Sequence, residues 1–284
     1  MSETVFVTGA AGMIGAQVVR GLLAAGYTVV GADRRPSEVE DTQYRHLVLD
    51  LADADAVAAA CTEQHITCVI HLAALAHTAG ETDLSYETYY RINVVCAKNV
   101  FEAAKAVGAT VLYISTVDVY GFVKGTVNGE TVPHPVTVYG KTKYLGEQAL
   151  RETGGVFDIY RFAPVYTDTV KRDIQKRYYF KYPNLAYIIG SGEEYEFLYI
   201  DTAVAALVDW VGKTPTGRAY NIKDAARVST AACLSAERTA GRAKHILHFP
   251  RWLVHFGFGV VFAISGKNKY TYLLNKAVHP LRTE

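Results

Sequence analysis

Cysteine is scarce in these 284 residues: Cys61, Cys68, Cys96 and Cys233 form no CxxC pair and no metal-ligand spacing. Free thiols in apolar helix or strand patterns behave as small hydrophobes, so reduced cysteines are expected rather than a disulfide framework. The nine histidines contain no HxxxH or HExxH pair, so no metal site is expected. An excess of one charge is also missing, with 29 Lys and Arg against 28 Asp and Glu. That balance gives no global field to draw in nucleic acid or an anionic membrane surface, and no nucleic-acid partner is expected. The first residues run straight into Thr4-Val5-Phe6-Val7, where a signal peptide would carry a charged leader and a longer apolar run. A cytoplasmic protein is therefore expected. The longest apolar stretch, Trp252 to Ile264, is interrupted by His255 and is too short to cross a bilayer, which takes about 20 residues. Its pattern fits a buried helix better than one lying in a membrane interface, because few lysines flank it.

What the chain does contain is a rhythm. Short β-branched runs alternate with alanine-rich helical stretches from the first strand to Val165. Strands are predicted at Thr4–Thr8, Thr28–Asp33, His46–Asp50, Cys68–Leu72, Val111–Ser115 and Asp158–Phe162. Helices are predicted at Met13–Ala25, Asp53–Glu63, Leu84–Val107 and Val136–Glu152. Such alternation implies an α/β, Rossmann-type, doubly wound parallel sheet with right-handed crossovers and helices on both faces. After Pro164 the rhythm breaks. Residues 166–194 read as helix plus irregular loop, followed by a strand at Glu196–Ile200, a helix at Asp201–Val211 and a strand at Ala219–Ile222. From Lys223 the chain reads as helical. The division expected is a dinucleotide-binding domain over 1–165, with 195–222 returning to it. A small, mostly helical substrate-binding portion comes from 166–194 and 223–284. Ligands in open sheets of this kind bind beyond the carboxyl ends of the strands, so that portion should roof that edge.

Thr8-Gly9-Ala10-Ala11-Gly12-Met13-Ile14-Gly15 links the first strand to the first helix. Gly9 suits the tight turn, Gly12 removes a Cβ from the path of a pyrophosphate, and Gly15 lets the helix approach the sheet. The helix N-terminus offers unpaired N–H groups to phosphate. Beyond that helix, Asp33 ends the second strand where a carboxylate would meet the adenosine ribose. A carboxylate there favours NAD and repels a 2′-phosphate. Arg34 and Arg35 follow directly, and a guanidinium there would pair with a phosphate, stack over adenine or face solvent, so NADP stays open as the less favoured cofactor.

Tyr139 and Lys143 stand four apart, on one face of a predicted helix. An ammonium beside a phenol lowers its pKa and makes it usable as a base near neutrality. Tyr120 and Lys124 repeat the spacing but read as loop. Upstream, Ser115 and Thr116 end the fifth strand, where a hydroxyl can hold the same substrate oxygen as Tyr139. A plain turn or helix cap accounts equally for those two residues taken alone.

In combination, TGxxGxxG, Asp50-Leu51, His71-Leu72-Ala73-Ala74, Ser-Thr-Val-Asp-Val-Tyr-Gly at 115–121, Tyr-Gly-Lys-Thr-Lys at 139–143 and Arg161-Phe162-Ala163-Pro164-Val165-Tyr166 resemble the extended short-chain dehydrogenase/reductases, the NAD-dependent epimerase/dehydratase group. Phe197-Leu198-Tyr199-Ile200-Asp201 and Tyr220-Asn221-Ile222 extend the resemblance through Ile222. The resemblance implies a cofactor site lined by Gly9, Gly12, Met13, Ile14, Gly15, Asp33, Arg34, Asp50, Leu51, Leu72, Ala73, Ala74, Asn93, Phe162 and Ala163. It implies a catalytic set of Thr116, Tyr139 and Lys143, with Ser115 adjacent and Lys143 also holding the nicotinamide ribose. It implies a homodimer through the helices Leu84–Val107 and Val136–Glu152.

Departures from the pattern narrow the reaction. Sugar dehydratases of the group carry an acidic pair where this chain has Val117 and Asp118, so dehydration is not expected. Pro164 and Thr167 stand where many nucleotide-sugar epimerases carry an Asn and a following Gly. The substrate implied is still a small molecule of the nucleotide-sugar class, handled by 4-epimerisation or 4-keto reduction. His77, Asp118 and Arg227 are candidate substrate contacts. Lys171, Arg172, Lys176 and Arg177 would suit a diphosphate or an exposed basic helix face alike. A steroid, flavonoid or other carbonyl dehydrogenase of the same superfamily is the alternative among enzymes. From another class, a non-catalytic dinucleotide-sensing protein would need no Tyr139/Lys143 pair.

Overall fold

Seven parallel strands form the frame of the computed structural model, which describes residues 3–76, 84–123 and 125–284. In chain order the first half runs β1 (Thr4–Thr8), α1 (Met13–Ala24), β2 (Thr28–Asp33), β3 (Tyr44–Val48), α2 (Ala54–Glu63), β4 (Cys68–His71), α3 (Tyr86–Tyr90), α4 (Cys96–Ala106) and β5 (Thr110–Thr116). It continues through β6 (Thr126–Val127), α5 (Val138–Thr153), β7 (Phe157–Phe162), β8 (Val165–Tyr166), α6 (Arg172–Gln175), β9 (Tyr179–Lys181) and β10 (Leu185–Ile189). The remainder is β11 (Glu194–Tyr195), β12 (Leu198–Tyr199), α7 (Ile200–Trp210), β13 (Ala219–Ile222), β14 (Val228–Ser229), α8 (Thr230–Thr239), β15 (His245–Phe249), α9 (Arg251–Ser265), α10 (Lys269–Val278) and β16 (Arg282–Thr283).

The main sheet has the order β13-β7-β5-β4-β1-β2-β3. Its central strands are buried on both sides, as Val5-Phe6-Val7 and Val69-Ile70 require when helices cover both faces. One face packs Val57 and Cys61 of α2 and Val100 and Phe101 of α4 against Phe6, Val69 and Tyr113. The other packs Val18, Val19 and Leu22 of α1 and Leu207 and Trp210 of α7 against Val5, Val7 and Leu112. Each fully buried aliphatic or aromatic side chain contributes roughly 1.5–3 kcal/mol, so the two layers fix the sheet edge that carries the ligand-binding turns.

The early elements lie close to their predicted limits. β3 shows a clear shift: it pairs with β2 from Tyr44 to Val48 instead of starting at His46. This is an edge strand, half-exposed, and Tyr44 anchors it. The ring lies against Gly31, where an added Cβ would stand 2.3 Å from the phenol oxygen. A π-helical turn, Arg91–Val95, joins α3 to α4 inside what reads from sequence as one helix.

The second half departs further. The segment 166–194 holds β9, β10 and one short helix, α6, in place of the helix and loop expected. β10 pairs with β9 and, in parallel, with β15 much later in the chain, giving a three-stranded sheet. The portion expected to be mostly helical is therefore mixed α/β. Leu185-Ala186-Tyr187-Ile188-Ile189 has strand chemistry, but its partner is too distant for local periodicity to reveal. The apolar segment does form a helix, α9, yet contains no buried residue. The expectation of a buried helix is wrong: α9 packs chiefly on α10, and one short helix cannot cover it.

Candidate active site

The glycine turn is shaped by close contacts. Gly9 adopts φ +72°, and a Cβ on it would stand 2.9 Å from the Ala73 nitrogen. A Cβ on Gly15 would fall 2.1 Å from the Gly9 carbonyl oxygen, and one on Gly12 3.1 Å from the same atom. These approaches bring the turns after β1 and β4 together, and Thr8 Oγ1 accepts the Ala73 N–H across them at 3.3 Å. α1 begins at Gly12 with no side-chain cap, which leaves its first N–H groups for a ligand anion. Met13 and Ile14 stand in that first turn, Met13 half-exposed. Gly15→Ala is expected to abolish stabilisation of the protein against heat by NAD; unchanged stabilisation would remove the turn from the binding site.

Asp33 ends β2 beside this turn. Its carboxylate accepts N–H bonds from Ala11 at 3.2 Å and Arg35 at 3.0 Å, and Arg35 Nη2 donates to the Ala11 carbonyl at 2.9 Å. Arg35, not Arg34, thus clamps the loop, and Arg34 is exposed. Asp50 accepts the Ala52 N–H at 3.0 Å, and Leu51 is buried, with its carbonyl held by Asn99 at 2.9 Å. Leu72, Ala73 and Ala74 follow β4 directly. Asn93 lies on the π-helical turn, and its amide accepts the Leu75 N–H at 2.7 Å and donates to the Leu75 carbonyl at 3.1 Å. It positions the segment after β4 through these bonds. Phe162 and Ala163 are buried at the carboxyl end of β7.

Thr116 ends β5, and its hydroxyl hydrogen-bonds the Tyr139 phenol. Gly140 makes this approach possible, since a Cβ there would stand 2.8 Å from the Asp118 carbonyl oxygen. Thr137 caps α5 by accepting the Gly140 N–H at 2.9 Å. Lys143, one turn along, is buried with its Nζ 4.0 Å from the centre of the Tyr113 ring. The phenol is not lowered as the spacing suggests. Burial raises the Tyr139 pKa and Asp118 adds to the rise, while the Thr116 bond opposes it. Burial also pushes the Lys143 ammonium down to about 7, against the pull of Glu147. Desolvation exceeds the charge effect at both groups, so the pair shares fewer protons near neutrality than two exposed groups would.

Ser115 points the other way, as alternation along a strand demands. Its hydroxyl donates to Glu147 at 2.6 Å, away from Tyr139. Glu147 in turn forms a two-pronged ion pair with Arg161, at 3.0 and 2.7 Å, with both side chains buried. Asp118 is also engaged: Lys276 of α10 pairs with its carboxylate and the Tyr272 hydroxyl reaches it at 3.4 Å. Arg227 lies between Glu194 at 3.7 Å and Glu196 at 3.6 Å, so its charge is matched within the protein. His77 lies outside the described residues. Among the described residues no cluster of His, Cys, Asp and Glu is arranged to hold a metal ion.

Several residues here escape sequence reasoning. His71 is fully buried, bonded to Thr8 Oγ1 at 2.9 Å through Nδ1 and stacked on Tyr113. Burial, with Lys143 beyond, pushes its imidazole down to about 3, so it stays neutral. Glu147 extends the Tyr139–Lys143 spacing by one further turn, and that i, i+4, i+8 row is the signal that could have found it. Lys276 and Tyr272 reach Asp118 from the far end of the chain, and no local signal marks them.

The model of the NAD dependent epimerase/dehydratase family matches residues 5–222. Among solved structures, MoeE5 in complex with UDP-glucuronic acid and NAD superposes with TM-score 0.69 at 27% identity, over 87% of this chain and 85% of that one. UDP-glucuronic acid 4-epimerase from Bacillus cereus, in complex with NAD, gives 0.69 at 25% identity, over 87% and 86%. Among curated proteins, methionine adenosyltransferase 2 subunit beta of Xenopus laevis is 28% identical over 60% of this chain and 49% of its own length. UDP-glucose 4-epimerase 2 of Oryza sativa subsp. japonica is 34% identical over 57% and 42%. The match thus spans about half the length, or less, of these curated relatives.

Proposed function

Since the chain belongs to the NAD-dependent epimerase/dehydratase family, we propose that it is an NAD-dependent enzyme that epimerises a UDP-linked sugar at C4. The observation that carries this reading is the Thr116–Tyr139 hydrogen bond with buried Lys143 one turn away, at the strand edge that bears the glycine cradle. The cradle fits a dinucleotide: a Cβ at Gly9 or Gly15 would fill it, and the uncapped start of α1 suits a pyrophosphate. Asp33 would accept from the adenosine ribose, which favours NAD over NADP. Lys143 would hold the nicotinamide ribose. NAD, when bound, supplies the reversible acceptor for the hydrogen on the sugar's C4.

Tyr139 takes the proton of the C4 hydroxyl, and Thr116 keeps that oxygen within reach. Lys143 stabilises the phenolate that makes Tyr139 a base. When the ketone presents its other face, Tyr139 returns the proton to the oxygen and the sugar leaves inverted. Val117 supplies no acid at the position where dehydratases carry one, which leaves elimination without a proton donor there. The same reading includes a homodimer through α4, α5 and the neighbouring α3, a region where Tyr86, Tyr90 and Val138 are exposed apolar groups. It also includes a cytoplasmic site of action, where NAD and UDP-sugars are met.

The test is proton NMR of the protein with NAD and, in turn, UDP-glucose, UDP-galactose and UDP-glucuronic acid. Appearance of the C4 epimer from at least one is the expected result. A second reading, a cofactor-binding subunit of another enzyme, draws on the adenosyltransferase subunits among the relatives. It would replace the first if NAD stabilised the protein against heat while none of the three sugars turned over.

A further inference from the structure

From the exposed apolar face of α9 and α10, and from the charge of the chain around it, we infer that this hairpin docks the protein on an anionic lipid surface. α9 is 15 residues, about 22 Å long, and carries no charged side chain after Arg251. Trp252, Phe256, Val260 and Ile264 recur every four residues along one face and are all exposed, Trp252 at 70% and Ile264 at 81%. Leu253 and Val261 widen the stripe, and Tyr270, Leu273 and Leu274 continue it on α10. The opposite face of α9 holds the hairpin to the protein. There Phe262 meets Phe122 at 5.7 Å between ring centres, while Phe258 meets His279, the residue that ends α10, at 5.5 Å within the hairpin. The outward stripe is thus not a misplaced core. It is a periodic stripe of exposed apolar residues on one helix and not a set of hydrophobes scattered singly.

Charge identifies the occupant. From Arg238 to Thr283 the chain has eight lysines and arginines and no aspartate or glutamate, whereas the rest of the chain has 21 lysines and arginines against 28 aspartates and glutamates. Arg242, Arg251 and Lys276 are paired with Glu237, Glu193 and Asp118. Among the described residues Lys244, Lys267 and Lys269 pair with no carboxylate; Lys267 stands in the turn between the two helices and Lys269 opens α10. A second copy of the chain, packed about a two-fold axis through this face, would bring these like charges together. A bilayer of acidic lipids takes both features at once. The apolar stripe enters the acyl boundary, Trp252 and Tyr270 sit at the headgroup level, and Lys267 and Lys269 meet the lipid phosphates. No helix among the described residues is long and apolar enough to cross a membrane, so the contact is peripheral.

Sedimentation of the full chain with vesicles tests this, using equal parts phosphatidylglycerol and phosphatidylcholine against phosphatidylcholine alone. Binding to the mixed vesicles should exceed binding to the neutral ones on the order of tenfold and fall with added salt. Fluorescence of Trp252 should shift to the blue with the mixed vesicles. Lys267→Glu with Lys269→Glu, and separately Trp252→Ser with Phe256→Ser and Ile264→Ser, should each lower vesicle binding roughly tenfold. Both variants should keep the parent's NAD-induced heat stabilisation, which shows that they fold. Equal binding to both vesicle types, or none to either, overturns the proposal. So does a dimer in light scattering that the triple serine variant converts to monomer, since the face then belongs to a second copy.

Discussion

Tyr139→Phe is expected to lower turnover of the UDP-sugar by about three orders of magnitude while NAD binding stays within twofold of the parent (roughly the range for losing one general acid–base group). Removing one hydroxyl leaves the ring in place and takes away only the proton-transfer atom, together with its bond to Thr116. The pH profile should carry a related signature. Lys143 is held down to about 7 by burial, so the Tyr139–Lys143 pair sheds its first proton near neutrality instead of near 10. That proton leaves Lys143 and not the base Tyr139, whose pKa burial raises, so the ammonium that stabilises the phenolate is lost and the rate of C4 oxidation should fall as pH increases through about 7. Lys143→Met should remove that fall as well as slow the reaction. Steady-state kinetics across pH, with NAD affinity measured separately by calorimetry, reads both effects. Undiminished turnover in Tyr139→Phe would place the chemistry elsewhere.

The second large effect is on stability. Glu147→Ala leaves Arg161 buried without its counter-charge, and Ser115 without its acceptor. Breaking one half of a buried pair costs about 3–5 kcal/mol, which is on the order of 10 °C in the unfolding midpoint for a protein of this size. The loss stems from the orphaned guanidinium more than from the attraction itself. Accordingly, Glu147→Leu combined with Arg161→Met should recover much of the stability that either single change loses. Equal midpoints for parent and Glu147→Ala in calorimetry would contradict this account. Glu147 also props up the charge of Lys143, so its removal should move the pH profile to lower pH even where the protein remains folded.

Local signals made the chain legible as far as Val165. Buried parallel strands have to be apolar on both faces, and the glycine turn has to lie between strand and helix, so order along the chain already identified them. The cradle glycines, Asp33, Thr116, Tyr139 and Lys143 all come together at one sheet edge. Ser115 and Thr116 show where reading fails by a single residue: both are hydroxyls, and only strand alternation assigns one to the site and the other to Glu147. The expected lowering of the Tyr139 pKa failed for a different reason. Spacing reveals a neighbouring ammonium but not how thoroughly both groups are desolvated. Beyond Val165 the determining contacts are remote. Tyr272 and Lys276 reach Asp118 from the far end of the chain, and β10 finds β15 only after α7 and β13 have returned to the main sheet. The α9 stripe is visible as composition, but composition does not say whether a core exists to receive it.

The contact between Gly9 and Ala73 has a consequence for how the chain matures. The cradle is closed by two turns whose bridging bond, Ala73 to Thr8, joins positions far apart in sequence. Until β4 pairs with β1, the first strand–helix–strand unit lacks the Ala73 side of the cradle, so the complete dinucleotide site is expected to exist only once the middle of the sheet has formed. NAD would then act as a late lock, slowing the escape from the finished state while leaving the early, rate-setting encounters of the chain untouched.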